Sequence, residues 1–586
     1  MKTSEFVDLI LSSVAARHLK RAGLLRHLGV ATLVSGVFLL CGCGSSEVFV
    51  PADANATCVV SNPEFATWFE SGAVTLDGVV TPANSVTFTP MSICEFYRWS
   101  ERMFLWLTSP APPRYGGGGG LIFDSPAFYD VSPFDANGQA TFIPHQAGGL
   151  GSLALRAGQV GPHKLPIVFD RSGRMFSIEP PVFARSGKQL ILNAEGEAVE
   201  IERASIGVDG RPIFLDKAGD LIRRARPIIR PKFMEAAMVQ EFMIDGIRIL
   251  LGGNGSVIDV EQGQAGGNAV LQARNGSLVF FRATVNDVFA YFLTKVKHDN
   301  PLPIDFDQAQ FPTTQAELQE IIVFAAAHGK TLVDPEALII EVKTSWIETT
   351  LLSDLSRFIT LKGTIPTYDT SDPNKWVRNG QKTVQLAMVG MHVVGSTKGH
   401  PEMIWATFEH VSNVPNAEYS YINTGNVITT VPQNTAGDWL FCADNSAGPF
   451  NQAHMQFNSS TGDIVSMPSF NISPSNTIRW KAWGRGSPAA NSNTELISIN
   501  NSVLGKLASD DVRKNYILTG ATWTIGGQPP TSTNQVGTNK MANTTMETYH
   551  QGSSPTAATG TNCFTCHGTN TTVVSHIFRP LQPLFP

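Results

Sequence analysis

Near its C-terminus the chain carries Cys563-Phe564-Thr565-Cys566-His567, the pattern Cys-x-x-Cys-His, and it ends at Pro586. This spacing is that of covalent c-type haem attachment, in which two thiols bond the porphyrin and the adjacent histidine ligates the iron. We therefore predict one covalent haem c, bound through Cys563 and Cys566, with His567 as the proximal iron ligand. Small cytochrome c domains wrap the haem with chain that follows the motif. Too little chain follows His567 for that, so the preceding domains are expected to cover the haem or leave it partly exposed.

Two other uses of paired cysteines fit this segment poorly. A structural zinc site needs a second Cys or His pair at matching spacing, and the sequence has none. A thioredoxin-like Cys-x-x-Cys opens a helix after a strand, whereas this motif follows a stretch rich in Thr, Asn and Gly. Haem attachment is therefore the favoured interpretation.

The sixth iron ligand is left open by the sequence. His576 is the candidate distal ligand, because the short chain after His567 is long enough to reach around a haem edge. Met541, Met546 and His550 precede the motif and are alternatives. A methionine would raise the reduction potential relative to a histidine. A distant histidine or an open position also remains possible.

The N-terminus has the features of an export signal, predicted to cover residues 1–42. Basic residues precede an apolar run at 30–40, which is too short for a spanning helix of about 20 residues. The run ends in Leu40-Cys41-Gly42-Cys43, which resembles a bacterial lipobox cleaved before Cys43. Cys43 is the predicted lipidation site, and by resemblance to enterobacterial sorting Gly44 after it favours the outer membrane over retention in the inner membrane. A plain secretory signal or a signal anchor is the alternative.

Composition supports a folded body between these two ends. Of 586 residues, 42% are hydrophobic and 16% charged, so the chain can fill a core and is not disordered. The net charge of −6 argues against nucleic-acid binding, which needs a basic surface. At about 150 residues per domain the length predicts several domains.

We expect an α+β, β-rich, multi-domain protein. A stacked β-hairpin repeat module is inserted in a mixed helix and strand body, and a haem-bearing tail follows at the C-terminus. The predicted segments are 1–42 (signal peptide), 43–130 (N-terminal helical segment), 131–281 (hairpin module), 282–365 (helical and αβ segment), 366–530 (β-rich domain) and 531–586 (haem-binding tail).

Two cysteines lie near the starts of two predicted helices. One helix begins at Asn62 as its cap, with proline next. The other runs from Ser92 to about residue 107 and opens with a Ser-x-x-Glu capping box. Its aromatic stripe is interpreted as core. Cys58 and Cys94 lie close to the two helix starts, and in an oxidising compartment they form a candidate disulfide.

The hairpin module is predicted from an internal repeat. Glycines 173, 196 and 219 follow similar apolar and polar runs, and glycines 187 and 210 share their interval. Each unit has the pattern strand, polar-glycine turn, strand. Glycines 255 and 276 are predicted to mark two more such turns. The module is expected to be structural, or to extend or dock the protein at a surface.

The second half is predicted to contain helices at 286–297 and 314–329, the latter opening with a Thr314-x-x-Glu317 capping box. Strands are predicted at 337–346, 385–394 and 403–410, and a helix near 501–508. His392, His400 and His410 fall in the strand region. Hydrogen-bonded or surface roles are favoured for them over metal or haem ligation.

Several segments resemble a group of largely uncharacterised bacterial cytochrome c-family lipoproteins that carry a single C-terminal Cys-x-x-Cys-His site. The similar segments are 341–346, 391–395, 399–410, 515–520, 542–549 and 575–578. The resemblance covers about 335–586 and the helix at 92–107, so the hairpin module looks like an insertion. It implies a haem and an envelope location, with defined roles for Cys563, Cys566 and His567 alone.

Three functions compete on this evidence. The first is a lipid-anchored monohaem cytochrome that transfers electrons in the envelope to a redox partner protein. The second is a haem-dependent oxidoreductase or peroxidase-like enzyme. The third is a surface binding lipoprotein with a structural haem. The first needs only the motif and the anchor, and we take it as the leading hypothesis.

Overall fold

A computed structural model describes residues 49–585 outside a set of gaps. The gaps are 118, 133–138, 147–148, 156–166, 170–174, 180, 208–210, 231–237, 245–246, 259–268, 301–309, 435–436, 444–447, 459–460, 485–488, 532, 553, 555–562 and 568–573. The structure is a β-rich mixture with 33% strand and 21% helix. The predicted signal at 1–42 and Cys43 lie outside the described residues.

The described helices are α1 Asn62–Trp68, α2 Ile93–Leu107, α3 Asp287–Asp299, α4 Gln315–Ala327, α5 Ala490–Leu504 and α6 Cys563–His567. The described strands are β1 Phe128–Val131, β2 Phe142–Pro144, β3 Gly151–Ser152, β4 Ile167–Phe169, β5 Met175–Glu179, β6 Leu190–Leu192, β7 Ala198–Glu200, β8 Arg203–Ile206, β9 Pro212–Leu215, β10 Met238–Ile244, β11 Ile247–Gly252, β12 Phe280–Asn286, β13 Ile340–Glu348, β14 Thr360–Asp372, β15 Lys375–Thr397, β16 His400–His410, β17 Tyr419–Ile422, β18 Ile428–Val431, β19 Met455–Phe457, β20 Ile464–Ser466, β21 Tyr516–Thr524 and β22 Gln535–Gly537.

A twelve-stranded, largely antiparallel sheet is the frame of the molecule. Its main path runs β2-β1-β12-β13-β15-β16-β21-β22; off this path, β14 and β20 pair with β15, β3 pairs with β14, and β19 pairs with β20. Strands of this one sheet come from residues that the sequence analysis divided among different domains. Contacts group Val48–Pro586 as a single unit.

Helix α2 covers one face of the sheet. Its capping box is present as predicted, since Ser92 Oγ and the Glu95 carboxylate satisfy backbone N–H groups at the helix start. The ring of Phe104 stacks on Phe408 of β16 at 4.2 Å between centroids. The ring of Phe96 stacks on Trp523 of β21 at 3.8 Å. The aromatic stripe of α2 is therefore core, as the sequence indicated.

The opposite face receives helix α3 and the C-terminal segment. Phe289 of α3, Phe578 and Leu581 belong to one buried apolar cluster, which also contains Trp405 of β16 and Phe564 of α6. The predicted haem segment is thus packed on the sheet, because its apolar side chains complete this cluster.

Within the predicted hairpin module, the described strands β4 to β11 form small sheets, whereas β2 and β3 belong to the twelve-stranded sheet. Strands β6-β7 and β8-β9 form two-stranded hairpins, and β11-β10-β5-β4 form a four-stranded sheet. The turn glycines 187, 196, 219, 255 and 276 have φ between 82° and 89°, and each donates its N–H to the carbonyl three residues earlier. Glycine tolerates this left-handed conformation without steric cost, which explains the repeat. Glycines 173 and 210 lie outside the described residues.

Several predicted boundaries differ from the structure. The N-cap of α1 is Ser61, whose Oγ accepts from the N–H of Glu64, so the predicted cap at Asn62 was wrong by one residue. Helix α5 occupies residues 490–504, mostly before the predicted 501–508. Strand β15 begins ten residues before the predicted 385.

Cys58 and Cys94 form a disulfide, the pairing that the sequence indicated, with their Cα atoms 5.5 Å apart. Disulfides persist in oxidising compartments, so this bond is typical of a protein outside the cytoplasm. Across the described ranges, no helix combines the length and apolar character needed to cross a bilayer.

Removal of the disulfide is expected to destabilise the protein measurably. The bond closes a loop with a sequence separation of 36, and such a loop is worth about 3–4 kcal/mol. The Cys58→Ser/Cys94→Ser variant should lose this amount in urea unfolding. Reduced wild type serves as the matched control and should unfold with the variant. The expectation would be contradicted if oxidised wild type unfolded at the same urea concentration as the Cys58→Ser/Cys94→Ser variant.

Candidate haem site

The floor of the site is the sheet face formed by β13, β15 and β16. Lys343 lies opposite His392, and Val394 lies opposite Trp405. Directly opposed residues share a face, and Glu341, two residues before Lys343, shares it as well. An acid, a base, an imidazole and an indole therefore meet on this one face.

A turn beginning at Asn543 is fixed to this floor. Asn543 Nδ2 donates to Thr407 Oγ1 at 2.9 Å, and the hydroxyls of Thr545 and Ser345 are 2.6 Å apart. A Cβ atom at Gly390 would lie 2.6 Å from the Thr545 hydroxyl. The close approach of the turn to β15 thus depends on glycine at this position.

A buried ion pair lies beneath the same turn. Glu409 of β16 accepts from the N–H and hydroxyl of Thr544 and from Arg479 Nη2, the last at 2.6 Å. The side chains of Glu409 and Arg479 are 0% and 4% exposed. Since charges this deep need partners, the pair ties the turn to the sheet.

The predicted attachment motif forms the single helical turn α6. Residues four apart on a helix face the same side, so the turn places Cys563 and His567 together. Cys563 is half-buried, and the side chain of Cys566 lies outside the described part of the structure. Phe564 is fully buried, with its ring 6.0 Å from that of Trp405. The apolar phenyl group anchors the motif to the floor.

The imidazole of His567 is held on three sides. Its Nδ1 is 2.8 Å from the carbonyl oxygen of Val574 and, facing an oxygen, acts as the donor. Its ring lies 4.2 Å from Trp405 and is stacked on His576 at 4.0 Å with an interplanar angle of 17°. With Nδ1 committed to a carbonyl, Nε2 is the nitrogen suited to ligate iron.

No protein-family model, curated protein or solved structure matches this chain. The resemblance to cytochrome c-family lipoproteins therefore stays a prediction.

The described surroundings of His567 suit a haem-ligating histidine. The motif lies on one helical turn, the proximal imidazole is oriented by a carbonyl, and an indole and a phenyl ring provide an apolar wall. These are the supports that haem-ligating histidines require. Cys563, Cys566 and His567 are the residues that would hold the group.

The structure places His576, the predicted distal ligand, beside His567, with its ring stacked on the His567 ring at 4.0 Å. Its role toward iron stays a prediction. Met546 lies in a separate apolar cluster with Val389, away from the cluster of Phe564. Met541 and His550 are both buried.

Burial shifts the acid–base behaviour of this region. It raises the pKa of Glu341 to about 7, against the opposing effects of the Ser575 hydroxyl and Lys343. Burial also acts to raise the pKa of Glu547, but the adjacent His392, together with Lys343 and the backbone N–H of Asn543, lowers the net pKa. Burial, followed by the proximity of His576, lowers the pKa of His567 well below its usual value. A neutral His567 is the form that ligates metal.

The three strand histidines have hydrogen-bonded partners, as favoured from the sequence. His392 Nε2 is 3.0 Å from Glu547, and His400 Nδ1 is 2.9 Å from Glu402. His410 Nε2 donates to the carbonyl of Arg357 at 3.0 Å. Among the residues that the structure describes, no group of three His, Cys, Asp or Glu side chains is arranged to hold a metal ion.

His410 predicts a pH dependence of stability. Burial lowers its pKa from 6.5 to about 3, so between these values the unfolded chain binds a proton that the folded chain does not. Stability is therefore lost as the pH falls through this window, by about 1.4 kcal/mol per pH unit. Between pH 6.5 and 5 the wild type should lose about 2 kcal/mol more than His410→Gln in urea unfolding. The exposed His298→Gln is the control and should keep the wild-type slope; equal slopes for all three proteins would refute the expectation.

Sequence reasoning missed the residues that surround the motif histidine. Ser575, Glu341 and Trp405 were noted only as parts of a resemblance or a strand, and Val574 was not noted. Glu341 had a detectable signal, because it interrupts an apolar stretch of a central strand. The backbone carbonyl of Val574 has no sequence signal.

Proposed function

We propose that this protein is an exported, lipid-anchored c-type cytochrome with one haem, which transfers electrons in the cell envelope. The observation that carries the proposal is the helical turn of the Cys-x-x-Cys-His motif, whose histidine is oriented through Nδ1 by the Val574 carbonyl. When bound, haem c supplies a one-electron iron couple. In this proposal Cys563 and Cys566 hold the group, and His567 ligates through Nε2.

The chain itself contributes orientation and exclusion of water. The indole of Trp405 and the phenyl group of Phe564 form a dry wall beside His567. Phe578, 3% exposed, extends the same apolar cluster. An apolar shell lowers solvent access, which is a main determinant of haem potential.

The envelope location rests on the Cys58–Cys94 disulfide and on the predicted lipobox. Covalent haem attachment in bacteria takes place after export, so an exported chain suits the motif. In the proposal Cys43 carries the lipid and the protein is an outer-membrane lipoprotein. Cys43→Ala should release the haem-loaded protein from the membrane fraction, and a variant that stays membrane-bound would count against lipidation.

The test of the proposed function is a pyridine haemochrome assay on protein exported in a host with a c-type maturation system. We expect one haem per chain, resistant to acid–acetone extraction, and a single one-electron wave in a redox titration. Absence of haem, or haem that is extracted, would overturn the proposal. Catalytic turnover with peroxide would favour the haem-enzyme hypothesis instead.

A further inference from the structure

Three consecutive residues after the motif each make a contact at its histidine or at the sheet below. The Val574 carbonyl accepts from His567 Nδ1 at 2.8 Å. The Ser575 hydroxyl donates to Glu341 Oε2 at 2.8 Å. The His576 ring stacks on the His567 ring at 4.0 Å. Segment 574–576 therefore contacts His567 through Val574 and His576 and is bound to the sheet through Ser575.

These contacts identify the side of the imidazole on which the segment lies. Nδ1 and Nε2 are on different edges of the ring. Because Nδ1 is used in the hydrogen bond to Val574, Nε2 is the nitrogen that can ligate iron. A segment that binds Nδ1 lies behind the proximal ligand, away from iron. His576, two residues beyond Val574, stacks on the face of the same ring.

The anchor of the segment is rigid. Glu341 lies in β13, a central strand paired with β12 and β15. Ser575 is fully buried, and Val574 and Ile577 beside it belong to the apolar cluster of the site. Trp405, with its ring centroid 4.2 Å from that of His567, also limits movement of the histidine ring. Ser575 is fully buried and Glu341 is half-buried on a central strand, so breaking their hydrogen bond would leave the serine hydroxyl away from water.

We infer that Glu341 and Ser575 are positioning residues that clamp segment 574–576 behind the proximal histidine, and that His576 supports this ring by stacking instead of ligating iron from the opposite side. The inference rests on the proposed function and adds to it how the protein sets the potential. A carbonyl that accepts from Nδ1 makes the imidazole a stronger donor and favours the oxidised iron. Loosening the clamp therefore raises the midpoint potential.

The experiment compares variants of the full haem-loaded protein by absorption spectrum, CO binding and midpoint potential. Ser575→Ala and Glu341→Ala should each raise the potential by the equivalent of about tenfold in the reduction equilibrium, which is ~59 mV for one electron. Glu341→Gln keeps an oxygen acceptor for Ser575, so its midpoint potential should stay close to that of the wild type. Glu348→Ala, on the same strand but paired with Lys382, is the matched control and should leave the spectrum unchanged.

His576 is tested by two replacements with opposite predictions. His576→Phe keeps a flat ring and removes both nitrogens, so it should retain the wild-type spectrum and CO reactivity. His576→Ala removes the ring and should shift the potential upward like Ser575→Ala. Circular dichroism of each variant, with and without haem, checks that the fold is kept.

The possible failures are distinguishable. A wild type that carries no covalent haem would overturn both the proposed function and this inference. A haem-loaded His576→Phe variant that becomes five-coordinate and binds CO would overturn the inference alone, since His576 would then be the distal ligand. Unchanged potentials in Ser575→Ala and Glu341→Ala would equally refute the clamp.

Discussion

Replacement of both Cys563 and Cys566 by alanine is expected to abolish covalent haem attachment. The two thioethers are the only covalent link that the motif offers, so haem should be lost completely from the denatured chain. Haem-stained denaturing gels and intact mass measure the loss directly. Haem attachment takes place after export, so the variant should still be exported.

The matched control removes two other cysteines. Cys58→Ser/Cys94→Ser eliminates the disulfide and should keep one haem per chain, although the protein is less stable. His567→Ala should retain the thioethers and change the spectrum, because the proximal ligand is gone. Covalent haem in the Cys563→Ala/Cys566→Ala variant would show that attachment occurs elsewhere.

Glu409→Ala is expected to cause the largest loss of stability among single substitutions near the site. It removes the acceptor of Thr544 and leaves the guanidinium of Arg479 buried without its carboxylate. Breaking a buried pair in this way costs about 3–5 kcal/mol. Urea unfolding of the haem-loaded protein measures the free energy, and the turn that begins at Asn543 should lose protection from hydrogen exchange.

Two comparisons make this prediction specific. Glu348→Ala removes a half-exposed pair with Lys382 and should cost less than about 1 kcal/mol. The double variant Glu409→Ala/Arg479→Ala should be less destabilised than the two single changes added together, because no orphaned charge remains. Strict additivity would argue against a coupled pair.

Local signals explain what could be predicted from the sequence. The capping boxes at the starts of α2 and α4 and the glycines of the hairpin turns act within a few residues, and the structure has these features. The attachment motif is likewise a local pattern. Helix α5 was misplaced because no side chain caps its first turn, where Ala489 is the N-cap.

Long-range pairing explains what could not be predicted. The bond between Ser575 and Glu341 joins residues 234 positions apart, and no local pattern specifies it. The first half of β15 is polar and exposed, and its alternation was too weak to suggest a strand. The floor of the site forms only when β13, β15 and β16 pair. The sequence contains its residues but does not indicate that they lie next to one another.

The placement of the motif after the main sheet has a consequence for the order of events during biogenesis. Every described strand of the sheet precedes Asn543 in the chain, and Phe564 within the motif is fully buried once the tail has docked. Maturation enzymes need the two thiols on accessible chain. Under the proposed function we therefore expect a time window in which the sheet has been exported and its tail is still undocked, and haem would be attached within that window. A chain whose tail docks too early would fold without haem.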